Sequence, residues 1–171
     1  MKTYTVHLIR HAMTKENTEG KYIGQTDVEP TKEGLAQIKN LMDENEGYPY
    51  ADVVISSPLK RCTETAKLIY PEKEPVIMQD LIEYDFGDFE GMTADELKDL
   101  DTFKDWISGA HPEEPVPFGE SQKEFNDRIC KCFIRIIEGI IKSGTRSTAI
   151  ITHGGVIMSL MAAFAIPEAP M

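Results

Sequence analysis

Four short runs of apolar, mostly β-branched residues punctuate the chain, and each breaks off into polar or charged residues. Residues 6–9 end in Arg10-His11, and residues 52–55 end in Ser56-Ser57-Pro58 with Arg61 close behind. Residues 75–78 lead through Leu81-Ile82 to Glu83, and residues 147–152 stop at His153-Gly154-Gly155. Runs of this length and composition predict buried strands. Between them the period becomes helical. Leu35, Ile38, Leu41 and Met42 predict a helix over 31–46 capped by Thr31. Ala66, Leu68 and Ile69 predict a second that starts at Pro58 and ends before Pro71, with Ser57 as its cap and Arg61 in its first turn. Ser121-Gln122-Lys123-Glu124 is a capping box that opens the longest helix. Its stripe of Phe125, Ile129, Phe133, Ile136, Ile137, Ile140 and Ile141 persists until Ser143-Gly144. A last apolar helix is predicted over 156–165.

Two stretches lack such patterns. Residues 15–30 hold Asn17, Gly20, Gly24, Asp27 and Pro30 without apolar period and predict a loop. From 91 to 118 short helical pieces alternate with breakers. Thr93-Ala94-Asp95-Glu96 is a capping box for one piece, Phe103, Trp106 and Ile107 give another its apolar face, and Pro112, Pro115 and Pro117 close the region. Strands alternating with helices predict an α/β fold, a three-layer α/β/α sandwich around a mostly parallel sheet, with residues 91–118 as a small helical cap. At 171 residues, without repeats or interior linkers, the chain is expected to form one domain. Parallel strands joined by helical crossovers put all their C-terminal ends on one edge. Arg10, His11, Arg61, Glu83 and His153 are therefore expected to gather there.

Charge narrows the partners. With 29 acidic against 18 basic residues the net charge is −11, which argues against a nucleic-acid partner or an anionic membrane surface. An anion pocket must then be a local positive island, and of five arginines Arg10 and Arg61 fall at strand ends. Cys62, Cys130 and Cys132 form no C-x-x-C pair and predict reduced thiols in a cytoplasmic protein. No apolar stretch approaches the length of a membrane span, and no signal-peptide pattern opens the chain. The four histidines have no metal-ligand spacing, so neither a metal nor another cofactor is expected.

A guanidinium beside an imidazole suits a phosphate, because Arg offers a planar fork of donors and His a lone pair able to attack phosphorus. Two histidines, two arginines and one carboxylate are the set needed to move a phosphoryl group through a nucleophilic imidazole. At these residues the chain resembles the histidine phosphatase superfamily, also called phosphoglycerate mutase-like. Its Arg-His-Gly signature is similar to Leu8-Ile9-Arg10-His11-Ala12-Met13-Thr14, its Ser-Ser-Pro-Leu-x-Arg segment to residues 56–61, and its Thr-His-Gly-Gly to residues 152–155. Residues 83–91 resemble the phosphatase-type Glu-x-x-Phe-Gly-x-x-Glu-Gly segment, and Gly119-Glu120-Ser121 the family's Gly-Glu-Ser.

The resemblance implies a phosphomonoester hydrolase in which His11 attacks phosphorus and becomes phosphohistidine. Arg10, Arg61 and His153 would hold the equatorial oxygens, and Glu83 would protonate the leaving alcohol and then activate water. Asn17, Gln25 and Gly154 are its implied substrate-binding residues. The implied substrate is a small phosphorylated metabolite, with α-ribazole phosphatases and broad-specificity phosphatases as the nearest relatives by motif. Two departures stand out: Ala12 where the family has Gly, and Met13 where Glu is common. One methyl beside the phosphate is expected to leave activity intact. Family members also carry one further strand, which is expected to be missing from a chain ending at Met171. Two other readings compete, a phosphoglycerate mutase-type transfer on the same site and a phospho-ligand binding module without turnover. An intact His11, Glu83 and His153 speak against the second of these. Against the first speaks the stretch from Glu83 to Asp127, which holds no arginine and only Lys98, Lys104 and Lys123 as full cations.

Overall fold

The computed structural model, which describes residues 2–45 and 47–165, forms strands where the β-branched runs fall. They are β1 (Thr5–Arg10), β2 (Val53–Ser56), β3 (Val76–Ile77) and β4 (Ser147–Thr152). The pairings between these strands are all parallel, in the order β1-β4-β2-β3. The helices are α1 (Lys15–Thr18), α2 (Lys32–Glu44), α3 (Lys60–Ile69), α4 (Ala94–Leu97), α5 (Asp101–Ser108), α6 (Gln122–Ser143) and α7 (Gly154–Phe164). No described helix is long and apolar enough to cross a membrane. The further strand discussed above would fall past residue 165, outside the described residues.

Side chains alternate across the sheet, and the alternation sorts the core into two layers. Ile55 and Ile150, with Leu8 and Val53 beside them, pack with Phe125, Ile129, Ile136 and Ile140 of α6 and Val156 and Leu160 of α7. Their neighbours along the strands, Ile9, Val54, Ala149 and Ile151, turn to the other face and meet Ile38 of α2 and Cys62, Ala66 and Ile69 of α3. The three layers expected from the pattern are therefore present. Leu97, Phe103 and Val116 of the proline-rich stretch are buried in the α6 layer, so that stretch contributes to the core.

Local differences have local causes. α6 begins and ends as its capping box and Gly144 dictate, with Ser121 accepting from the Glu124 amide and Glu124 from the Ser121 amide, a device that stabilises by about 1 kcal/mol. Its buried stripe runs through Cys132, while Ile141 is exposed. Residues 15–30 are not all loop, because Thr14 and Asn17 form a capping box around the single turn α1. α2 stops at Glu44, two residues short of expectation, and α7 starts at Gly154, two residues early. α3 starts at Lys60 with Leu59 as its unassisted cap residue. Ser57 does not cap it. The Asp27 carboxylate, arriving from the preceding loop, accepts from the Lys60 amide at 2.7 Å, and an anion at a helix N-terminus is favourable.

Candidate active site

Strand register decides where the chemistry sits. Arg10 lies opposite Thr152, and Ser56 opposite Ile151, so the residues that follow these strands emerge side by side on one sheet edge. The ladder continues one step past the strands: the His11 amide donates to Thr152 O at 2.9 Å and the Ser57 amide to Ile151 O at 3.0 Å. His11 and His153 thereby face each other, with ring centroids 5.3 Å apart.

His11 is buried, and its Nδ1 lies 2.7 Å from the carbonyl of Ala12. A carbonyl only accepts, so Nδ1 carries the proton and Nε2 keeps its lone pair. Burial, aided by the charges of Arg61 and Arg10, lowers the His11 pKa to about 4, and the imidazole is neutral near pH 7. The backbone behind it is pinned too, since the Ala12 amide donates to Thr65 Oγ1 at 2.8 Å while that hydroxyl donates to Arg61 O at 2.6 Å. The Ala12 methyl is buried with Ile9 and Ile38 in the α2–α3 layer. His153 is fully buried, with Nε2 2.7 Å from Ser57 Oγ and 3.5 Å from Cys62 Sγ. Burial first, then the cations Arg61 and Arg10 and the neighbouring His11, hold it well below the ordinary imidazole pKa. The Cys62 thiol is pushed up to about 12 by burial, which removes it as a nucleophile near neutral pH.

The two arginines differ. Arg61 is 1% exposed, and its guanidinium donates to Gly24 O at 2.6 Å and Thr26 O at 2.8 Å, leaving its other N–H groups for a ligand. That loop is held in turn by Glu90, which accepts from the Gly24 and Thr26 amides at 2.9 Å. Arg10 is exposed at the end of β1 and lines the open cleft.

Glu83 closes the cleft from the β3 side. Its Oε1 accepts from the Tyr84 amide and its Oε2 from the Gly155 amide, both at 2.9 Å. Both bonds favour the carboxylate, yet burial outweighs them and raises the Glu83 pKa above the usual range. A Cβ at 155 would lie 2.5 Å from Glu83 Oε1, so any larger residue there would push the carboxyl out of this position. The backbone around Glu83 is clamped from α6. Arg128 donates to Asp80 O and Ile82 O at 2.9 Å, reaches Glu83 O at 3.4 Å, and pairs with Glu120 at 2.6 Å. Glu120 also accepts from the Asp85 amide at 2.9 Å.

The cleft, about 450 Å³, is bordered by Arg10, His11, Asn17, Glu83 and Gly154. Arg61 and His153 lie buried behind it. The Asn17 carbonyl accepts from the Thr14 amide at 3.2 Å, so its amide N–H groups remain available. Gln25 is exposed on the loop that holds Arg61 and does not line this cleft. Sequence reading missed Ser57 as the partner of His153, Thr65, Glu90 and the Arg128–Glu120 clamp. Ser57, Glu90 and Glu120 had a signal, since they fall in the segments 56–61, 83–91 and 119–121 that carry the family resemblance; Thr65 and Arg128 act through contacts that no local pattern encodes. Among the described residues no group of three or more His, Cys, Asp or Glu side chains is arranged to hold a metal ion.

A parallel-sheet edge that carries two neutral imidazoles, two guanidinium groups and one raised-pKa carboxyl is the equipment of an anion-handling α/β enzyme. The chain belongs to the histidine phosphatase superfamily (branch 1), whose model matches residues 6–170. It is 30% identical over 159 residues to the adenosylcobalamin/alpha-ribazole phosphatase of Escherichia coli, covering 91% of this chain and 76% of that protein. An acid phosphatase of Mycobacterium tuberculosis is 30% identical over 156 residues, covering 90% of this chain and 72% of that one. The crystal structure of the alpha-ribazole phosphatase from Shigella flexneri superposes with a TM-score of 0.77 at 26% identity, covering 95% of this chain and 80% of that one.

Proposed function

We propose that the chain hydrolyses small phosphomonoesters through a phosphohistidine on His11, without a divalent metal. The observation that carries this reading is the hydrogen bond from His11 Nδ1 to Ala12 O. It presents a neutral imidazole whose Nε2 keeps its lone pair, in a cleft that Arg10 also lines and with the His153 ring 5.3 Å away, the state a nucleophile needs. Arg10, Arg61, His153 and the N–H groups of Asn17 and Gly154 then hold the equatorial oxygens, replacing the positive charge a metal supplies elsewhere. Gln25 serves only if its loop turns inward on binding. Glu83, whose pKa is raised by burial, gives its proton to the leaving oxygen in its acid form and afterwards takes one from the attacking water. Hydrolysis outweighs mutase transfer in this reading, since Asp85, Asp88 and Glu90 follow Glu83 and no arginine stands between Glu83 and Asp127 to hold a second anion.

Rapid acid-free quenching with ³²P-labelled substrate tests the reading directly. A base-stable, acid-labile phosphoryl group should be trapped on the wild-type chain, and turnover should survive EDTA. His11→Ala should remove both label and turnover, by at least about 10⁴-fold. Label retained in His11→Ala, or activity lost to chelator and restored by magnesium or zinc, overturns it. α-Ribazole phosphate, whose dephosphorylation gives two of the relatives their names, is the first metabolite to assay.

A further inference from the structure

Past Glu83 the anion cleft opens into a second cavity of about 440 Å³. The two share Tyr22, Glu83, Phe86, Gly155 and Met158 along their common border. Beyond that border the lining changes character. Trp106 and Phe86 form walls with Tyr22, the Tyr22 and Trp106 rings meeting edge to face at 5.6 Å and 89° and the Phe86 and Trp106 rings at 5.8 Å and 80°. Met158 of α7 faces them, and Gln122 and Asn126 supply polar groups at the rim. The rings are held from behind rather than filling the space themselves: Trp106 Nε1 donates to Tyr84 Oη at 3.1 Å, and Gln122 donates to Trp106 O at 2.6 Å. No lysine or arginine lines this cavity.

We propose that this cavity seats the alcohol half of the substrate and selects flat aromatic ring systems. The proposal rests on the phosphatase reading and names the substrate class for it. Glu83 sits at the border, where a proton donor must stand between the phosphoryl group and the leaving oxygen. The ester bond therefore points from the cationic cleft into the aromatic one. A three-carbon alcohol would leave most of 440 Å³ filled with water against ring faces, and a carboxylated one would find no cation. Ring edges and faces already set at near right angles accept another ring in the same geometry, and a methionine thioether completes a favourable sulfur–aromatic wall.

Phosphonates test the seat independently of turnover, because they cannot be hydrolysed. Calorimetry should show benzylphosphonate binding at least tenfold more tightly than ethylphosphonate and several-fold more tightly than cyclohexylmethylphosphonate, which has similar bulk without flatness. Met158→Glu and Trp106→Ala should each collapse the benzyl-to-ethyl ratio toward one, whereas Met161→Glu, exposed on the same helix outside the cavity, should preserve it. A thermal melt checks that Trp106→Ala folds, and Met158→Glu, at an exposed site, gives the answer if it does not. Equal affinities for benzyl- and ethylphosphonate, or a cyclohexylmethyl ligand bound as tightly as benzyl, overturn the aromatic seat. Benzylphosphonate preference without phosphate release from benzyl phosphate keeps the seat and removes the phosphatase reading instead.

Discussion

The two halves of the site are built by different means. His11 and Ser57 extend the sheet's own hydrogen-bond ladder by one step, and His153 directly follows β4, so their positions follow from strand register. Glu83 has no ladder. β3 is only two residues long, and the carboxyl beyond it depends on Arg128, on the Gly155 amide, and on Thr152 Oγ1 donating to Leu81 O at 3.0 Å. One side of the cleft is thus secured by backbone repetition and the other by a few long-range side-chain contacts. The His11 side should tolerate the loss of a single contact, and the Glu83 side should not.

The largest effect that bears on this contrast is expected from Glu83→Gln. Loss of a general acid costs about 10²–10⁴-fold, and it should fall on alkyl phosphates while p-nitrophenyl phosphate, whose leaving group hardly needs a proton, is spared. The pH profile carries a matching sign. His11 must be neutral, so kcat/KM should fall as pH drops through about 4; Glu83 must be protonated, so it should fall again as pH rises through a pKa raised by burial. Activity should peak on the acid side, and Glu83→Gln should delete the alkaline limb alone. Equal losses on both substrates would make Glu83 structural.

Arg128→Ala should come next, about tenfold to a hundredfold down on alkyl phosphates, the scale of a misplacement near 1 Å. As a positioning residue acting through Glu83, it should spare p-nitrophenyl phosphate and add little to Glu83→Gln in the double variant. Additive losses would show that Arg128 acts by some other route. The smallest effect is expected on the ladder side. Ser57→Ala removes the hydroxyl beside His153 but leaves the ladder, and should lower kcat/KM by no more than about tenfold, one hydrogen bond's worth. A loss larger than that of Arg128→Ala would reverse the comparison.

The sequence by itself determined the layers, the parallel sheet and the gathering of Arg10, His11, Arg61, Glu83 and His153. Periods of 2 and 3.6 and the position of residues at strand ends are local properties, and parallel topology turns them into one edge. It also read the capping boxes of α4 and α6 directly, because each closes within four residues. It misjudged α3, where Ser57-Pro58 has the form of a helix start, since the cap came from Asp27, far away in the chain, and the Ser57 hydroxyl was drawn to His153. Only the tertiary structure decided the protonation pattern. The same imidazole and carboxyl types titrate normally in water; burial, aided by the charges of Arg61 and Arg10, makes His11 neutral, and burial alone, against those same charges, makes Glu83 reluctant to ionise. The aromatic cavity belongs to the same category. Tyr22, Phe86, Trp106 and Met158 come from four separated segments with no common period, and only packing sets them around one space beside Glu83.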